Sequence, residues 1–193
     1  MKDMIVQGFL DSADLKVRFV KENVDRITSV VEAITNSIKQ GNKIILFGNG
    51  GSAADAQHIA AEFVNRFLIE RPPLPALALT TDTSIITSIG NDSDFSDIFY
   101  KQIRALGTKG DVAIGLSTSG NSLNVIKALQ AAKEMGLKTV GITGKNGGEI
   151  AKIVDYSLNV ASDSTPRIQE VHITIGHIIC EMVDYLLFPT RNA

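Results

Sequence analysis

Four polar side chains on apolar, helix-like stretches have types and spacing that could do chemistry: His58, Glu62, Gln169 and His177. His58 and Glu62 stand at i and i+4, so one helix face carries both. Their neighbours Ile59, Ala60, Phe63, Val64 and Phe67 are apolar. Gln169 and His177 are separated by about 80° around a helix of 3.6 residues per turn, among Val171, Ile173, Ile175, Ile178 and Ile179. Polar groups so placed cost energy unless each finds a partner. Two imidazoles and a carboxylate, with an amide oxygen as fourth donor, suit Zn²⁺ or a similar divalent ion. A set of hydrogen-bonded core and surface residues has the same spacing, so the pattern leaves both readings open. His172 falls on a different side of its helix from His177 and reads as surface or interface. Cys180 reads as a small buried hydrophobe.

Two small-residue loops carry the second chemical signal. Gly48-Asn49-Gly50-Gly51-Ser52 follows the apolar run Lys43–Phe47, and Ser117-Thr118-Ser119-Gly120-Asn121-Ser122 follows Asp111–Leu116. Glycines let a backbone approach an anion closely, and N–H groups and hydroxyls at a helix start supply donors. The second loop offers the hydroxyls of Ser117, Thr118, Ser119 and Ser122. The first is neither a Walker A sequence nor a G-x-G-x-x-G fingerprint. Either loop alone is equally well a capped strand-to-helix turn. Both in one chain favour a phosphorylated or polyoxygenated small molecule. A third loop holds Asn91 and Asp92, and Arg66 suits the end of the first core helix.

These residues need a scaffold. Residues 3–40 read as helical, with Phe9, Leu10, Ala13, Val17, Phe19 and Val20 at helical spacing. Asn23 or Asp25 is positioned to cap a second helix, which Gly41 ends. Such a stripe must pack on the following domain or on another subunit. Beyond Gly41, strands are expected at 44–47, 75–79, 112–116, 138–142 and 156–160. Helices are expected at 53–67, 83–89, 95–106, 123–135 and 166–187. Apolar strands alternating with helices predict a three-layer α/β fold around a five-stranded parallel sheet, with ligands at the carboxyl ends of its strands. The chain reads as one domain over 1–193, with a helical segment at 1–40 and an α/β core at 41–193.

Bulk composition narrows the partners. The 193 residues suffice for a sizeable core, and a net charge of −2 supplies no basic field for nucleic acid. The single cysteine fits a reducing compartment, and no apolar run approaches a membrane span. A cytoplasmic protein with no membrane partner is expected.

The segments Phe47–His58, Ser117–Ser122, Thr143–Gly148 and Arg167–His172 together resemble the phosphoheptose isomerases of the sugar isomerase (SIS) superfamily. The resemblance covers essentially the whole chain. It implies a flavodoxin-like five-stranded parallel core and a homotetramer with intersubunit active sites, assembled through the N-terminal helices. It implies Zn²⁺, one per subunit, at His58, Glu62, Gln169 and His177. It also implies conversion of sedoheptulose 7-phosphate to D-glycero-D-manno-heptose 7-phosphate, the first step of surface heptose biosynthesis.

That reaction moves a proton between C1 and C2 through an enediol, so it needs an acid, a base and oxyanion stabilisation. Glu62 and His177 are the expected catalytic pair. A residue bound tightly to metal is a poor free base, so neither holds both roles unchanged through the cycle. Ser52, Ser117, Thr118, Ser119 and Ser122 would hold the phosphate. Asn49, Gly50, Gly51, Asn91 and Asp92 would contact the sugar, with Glu62 and Gln169 also touching substrate.

One departure is Pro166, where some relatives carry an acid. The ending Leu186-Leu187-Phe188-Pro189 also resembles non-catalytic relatives that bind the replication initiator protein. A tetramer of that kind is the alternative, and retention of all four polar helix residues argues against it. A sugar-phosphate-sensing module beside a DNA-binding domain is weaker still, because nothing in the sequence supplies such a domain.

Overall fold

The computed structural model describes residues 1–189. α1 runs unbroken from Lys2 to Lys39 and ends at Gln40, with Gly41 at φ +82°. The expected second helix does not exist. Asn23 is buried and its amide Nδ2 donates to the carbonyl of Phe19 at 3.0 Å, so it continues the helix instead of capping a new one. The Asp25 carbonyl likewise accepts from Ser29 Oγ within the same helix.

β1 (Ile44–Gly48), β2 (Ala76–Ala78), β3 (Val112–Ser117), β4 (Lys138–Gly144) and β5 (Tyr156–Val160) form one parallel sheet in the order β2-β1-β3-β4-β5. Alternation along β1 divides the core. Ile44 and Leu46 face a layer formed by α1, α2 (Gly51–Val64) and α7 (Thr165–Leu187). Ile45 and Phe47 face a layer formed by α4 (Ile98–Leu106), α5 (Leu123–Glu134) and α6 (Ile150–Ile153). α3 (Thr83–Asp92) and a 3₁₀ turn at Phe95–Asp97 complete the order. The strand order reverses direction between β1 and β3, which is where open α/β sheets bind ligands. The two loops expected to bind ligand leave the sheet at those two strands.

α3 is longer than expected, so Asn91 and Asp92 form its last turn rather than a loop. His172 is not surface: it is fully buried, and its Nε2–H donates to the Thr143 carbonyl at 2.9 Å, where β4 ends. The apolar side of α7 extends further round the helix than its alternation suggests, and this one hydrogen bond admits the imidazole. Cys180 is buried as expected, and burial pushes its thiol pKa well up. Among the described residues no helix is long and apolar enough to cross a membrane.

Candidate active site

The first loop turns sharply because its glycines permit it. Gly50 sits at φ +55°, and a Cβ on Gly48 would lie 2.8 Å from the Leu116 carbonyl of the neighbouring strand. β1 and β3 therefore deliver their loops side by side. Ser52 is buried in the first turn of α2.

The second loop brings three hydroxyls together. Ser117 Oγ lies 2.9 Å from Ser122 Oγ and 3.3 Å from Ser119 Oγ. Ser122 is the N-cap of α5, yet its hydroxyl makes no cap bond and faces Ser117 instead. Gly120, at φ +68°, is held from behind, its carbonyl accepting from Ile150 N at 3.0 Å. Asn121 Oδ1 accepts from Glu149 N at 3.0 Å. Hydroxyls gathered at the N-terminus of a helix are a donor set for an oxyanion.

α2 and α7 bring the polar helix residues together. Gln169 packs on Gly51, Ile59 on Gly176, and His177 on His58, so the two helices run in the same direction. Gly176 permits the close approach, since a Cβ there would meet Ile59 at 2.5 Å. His58 Nε2 lies 3.1 Å from Glu62 Oε1 and 3.2 Å from His177 Nε2. One donor atom from each of His58, Glu62 and His177 falls within 4.8 Å of the others. Two ring nitrogens and a carboxylate oxygen aimed at one point require a proton or a cation between them. Phe67 stacks on His177 with ring centroids 5.4 Å apart. Asp55, one turn before His58, has a buried Oδ2 without a hydrogen-bond partner, and burial raises its pKa against the pull of His58.

The SIS domain family matches residues 9–144. The chain is 54% identical over 193 residues to the phosphoheptose isomerase of Thermodesulfovibrio yellowstonii, covering 100% of this chain and 96% of that protein. It is 53% identical over 187 residues to the phosphoheptose isomerase of Aquifex aeolicus, covering 97% and 98%. The chain belongs to the phosphoheptose isomerases. The structure of phosphoheptose isomerase GmhA from Neisseria gonorrhoeae superposes with a TM-score of 0.90 at 44% identity, covering 95% of this chain and 98% of that one.

In this phosphoheptose isomerase the expected residues are not all gathered equally. His58, Glu62 and His177 converge, and Gln169 lies against Gly51 at the start of α2. Ser117, Ser119 and Ser122 converge, with Thr118 between them half-buried. Asn91 and Asp92 are exposed, and Asn91 Nδ2 donates to Asp92 Oδ1 at 2.8 Å. Among the described residues their side chains bond to each other and to neither loop. Arg66 lies beyond α2 and pairs with Glu70 at 3.0 Å instead of ending the helix.

Three residues escaped the sequence reading. Asn124 exchanges two hydrogen bonds with Asn49. Arg71 and Asp184 form a buried ion pair behind Glu62 and His177. An Asn just after a capping serine looks like ordinary helix-start chemistry, and Arg71 sits in a Pro-rich turn. Neither carries a signal of its partner.

Proposed function

We propose that the chain interconverts sedoheptulose 7-phosphate and D-glycero-D-manno-heptose 7-phosphate at the crevice between β1 and β3. The single observation that supports this reading is the convergence of His58, Glu62 and His177 on two helices that start beside the ligand loops. The phosphate is assigned to Ser52, Ser117, Thr118, Ser119 and Ser122. The sugar is assigned to Asn49, Gly50, Gly51, Asn91 and Asp92, with Gln169 and Glu62 at the reacting end.

Conversion of the ketose to the aldose takes a proton from C1 to C2 and another from O1 to O2. Glu62 and His177 divide these transfers, each accepting in one half of the reaction what it returns in the other. His58 lies within 3.2 Å of both and orients them. The serine cradle fixes the phosphate end, so C1 and C2 present themselves to the pair at a fixed distance.

His58, Glu62, Gln169 and His177 supply nitrogen and oxygen donors of the kind Zn²⁺ takes, and the close approach of three of them fits such an ion. When bound, a Zn²⁺ ion would polarise the carbonyl and stabilise the enediolate oxygens. A homotetramer is the assembly we favour. α1 exposes Phe9, Leu10, Val17, Val20 and Val24, an apolar face that needs cover. Intersubunit sites follow if α1 packs beside a neighbour's crevice. The reaction is assigned to the cytoplasm, where surface heptose precursors are made and Cys180 stays reduced.

The test is isomerisation of sedoheptulose 7-phosphate by the Zn²⁺-loaded and chelated protein, with Glu62→Gln and His177→Gln beside the wild type. Turnover lost on chelation and in both variants supports the reading. An inert loaded wild type overturns it, and full turnover in both variants overturns the residue assignment alone.

A further inference from the structure

α2 ends without a glycine to close it. The residue after its C-cap Asn65 is Arg66, which does not adopt a positive φ, so the usual left-handed cap is absent. The last-turn carbonyls must find other donors. Leu74 N donates to the Phe63 carbonyl at 3.0 Å, and Arg71 adds several more bonds. Its Nη2 donates to the Glu62 carbonyl at 2.9 Å and its Nη1 to the Phe63 carbonyl at 2.7 Å. Nη1 also reaches the carbonyls of Pro72 at 3.2 Å and Asn65 at 3.4 Å. Its Nε donates to Asp184 Oδ1 at 2.8 Å.

Both side chains are out of water, Arg71 at 0% and Asp184 at 4% exposure. Burying such a pair is weak evidence for stability, because apolar residues of similar volume often serve as well. What the guanidinium provides is geometry. Its planar fork reads two carbonyls and a carboxylate in one fixed arrangement. One of those carbonyls belongs to Glu62. The carboxylate stands on α7 seven residues after His177, two turns along the same face.

We propose that Arg71 and Asp184 are positioning residues that hold Glu62 on α2 at its working distance from His177 on α7. The pair acts beyond His177, toward the C-terminal ends of both helices, away from the loops after β1 and β3. It clamps the backbone of one proton-transfer residue to the helix bearing the other, about two turns beyond the Gly176 contact. This rests on the reading of His58, Glu62 and His177 as one ion-holding and proton-transferring set.

Arg71→Lys keeps the charge and loses the fork, and Asp184→Asn removes the charge and keeps an acceptor. Each purified variant is loaded with Zn²⁺ by calorimetry and, separately, with Co²⁺, whose visible absorption reports ligand geometry. Steady-state turnover of sedoheptulose 7-phosphate completes the set. Arg71→Lys is expected to bind Zn²⁺ at least tenfold more weakly than wild type, with an altered Co²⁺ spectrum. Its kcat is expected to fall at least tenfold while KM changes less than twofold, because the serine cradle lies on β3 and α5. Asp184→Asn is expected to move all three in the same direction and decides the matter if Arg71→Lys does not fold. Wild-type Zn²⁺ affinity, Co²⁺ spectrum and kcat in the folded variants, whatever their melting temperatures, overturn the proposal. Failure of the wild type itself to bind Zn²⁺ overturns the ion-holding reading together with this one.

Discussion

Asn49 and Asn124 clasp each other across the crevice: Asn49 Nδ2 donates to Asn124 Oδ1 at 2.9 Å, and Asn124 Nδ2 donates to Asn49 Oδ1 at 2.8 Å. The loop after β1 and the helix after β3 are thus tied by a closed pair of amide hydrogen bonds. Asn124 is buried and its Oδ1 also accepts from Val125 N at 2.9 Å, so the clasp is fixed to the first turn of α5. The small-residue turn after β1 and the hydroxyl cluster after β3 are held in register by this pair.

Asn124→Ala leaves the Asn49 amide without its partner in a part-buried position. A lost partner of this kind costs about 1–3 kcal/mol. Urea unfolding should show that loss, and KM for the sugar phosphate should rise severalfold as the two loops decouple. An unchanged KM would mean that the clasp stabilises the fold without ordering the ligand loops.

Gly120→Ala should be more damaging. Gly120 has φ +68°, and a Cβ there would lie 2.1 Å from the carbonyl oxygen of Gly147, a backbone atom that cannot swing aside. The loop 144–148 must move, and with it the support behind Ser119 and Ser122. We expect kcat/KM for the sugar phosphate to fall at least tenfold, mostly through KM. Phosphate protection of the protein against heat should weaken in parallel, which a thermal shift in inorganic phosphate measures.

The architecture was legible because it rests on periodicity. Apolar strands such as Ile44–Phe47, followed by small-residue turns, fix a parallel sheet and put both loops at its carboxyl edge. His58, Glu62 and His177 were legible because polar groups stand out against Ile59, Phe63 and Ile179. Arg71 with Asp184, and Asn49 with Asn124, were not legible, because each pair joins segments far apart in the chain and each member alone has an ordinary local role. His172 was misread for a related reason. One backbone carbonyl, supplied by β4, decides whether a histidine can be buried, and no residue near it in sequence reveals that carbonyl.

Acid should weaken the fold through His172. A carbonyl only accepts, so the Thr143 bond places the proton on Nε2, while Nδ1 is buried without a partner. Protonation would leave a buried charge with an unsatisfied N–H, and burial lowers the His172 pKa to about 4. The unfolded chain titrates near 6.5. Between these values the unfolded state binds more protons, so stability rises with pH. The contribution is complete above pH 6.5 and lost as pH falls toward 4, amounting to roughly 3 kcal/mol. His172→Gln retains a donor for Thr143 and cannot titrate. Urea midpoints at pH 5 and pH 7.5 should differ more for the wild type than for the variant. Equal differences would remove His172 from the account.

Phe9 is 77% exposed on α1, with Leu10, Val17 and Val20 along the same face. A contact between copies would bury this face, and a glutamate introduced there would bury an unpaired charge. Light scattering after size exclusion should report a tetramer for the wild type and smaller species for Phe9→Glu and Val17→Glu, with helical content unchanged. A monomeric wild type at micromolar concentration would remove the tetramer from the reading.

Zn²⁺ should stabilise the protein through His58, Glu62 and His177. An ion that binds the folded chain and not the unfolded one adds RT ln(1 + [L]/Kd), or about 2.7 kcal/mol at a hundredfold excess over Kd. The unfolded chain separates these side chains, since His177 joins His58 only when α7 docks on α2. His58 is exposed at the end nearest solvent, so His58→Ala should leave the ion-free melting temperature within a few degrees of wild type. The same substitution removes one imidazole and should abolish most of the Zn²⁺-dependent rise. Mg²⁺, which prefers oxygen donors and keeps its waters, should produce no comparable rise in the wild type. Scanning calorimetry with chelator, Zn²⁺ and Mg²⁺ separates these outcomes. A Zn²⁺-dependent rise of equal size in wild type and His58→Ala would place the ion elsewhere, and the convergence of the two histidines would then have to be explained by a shared proton alone.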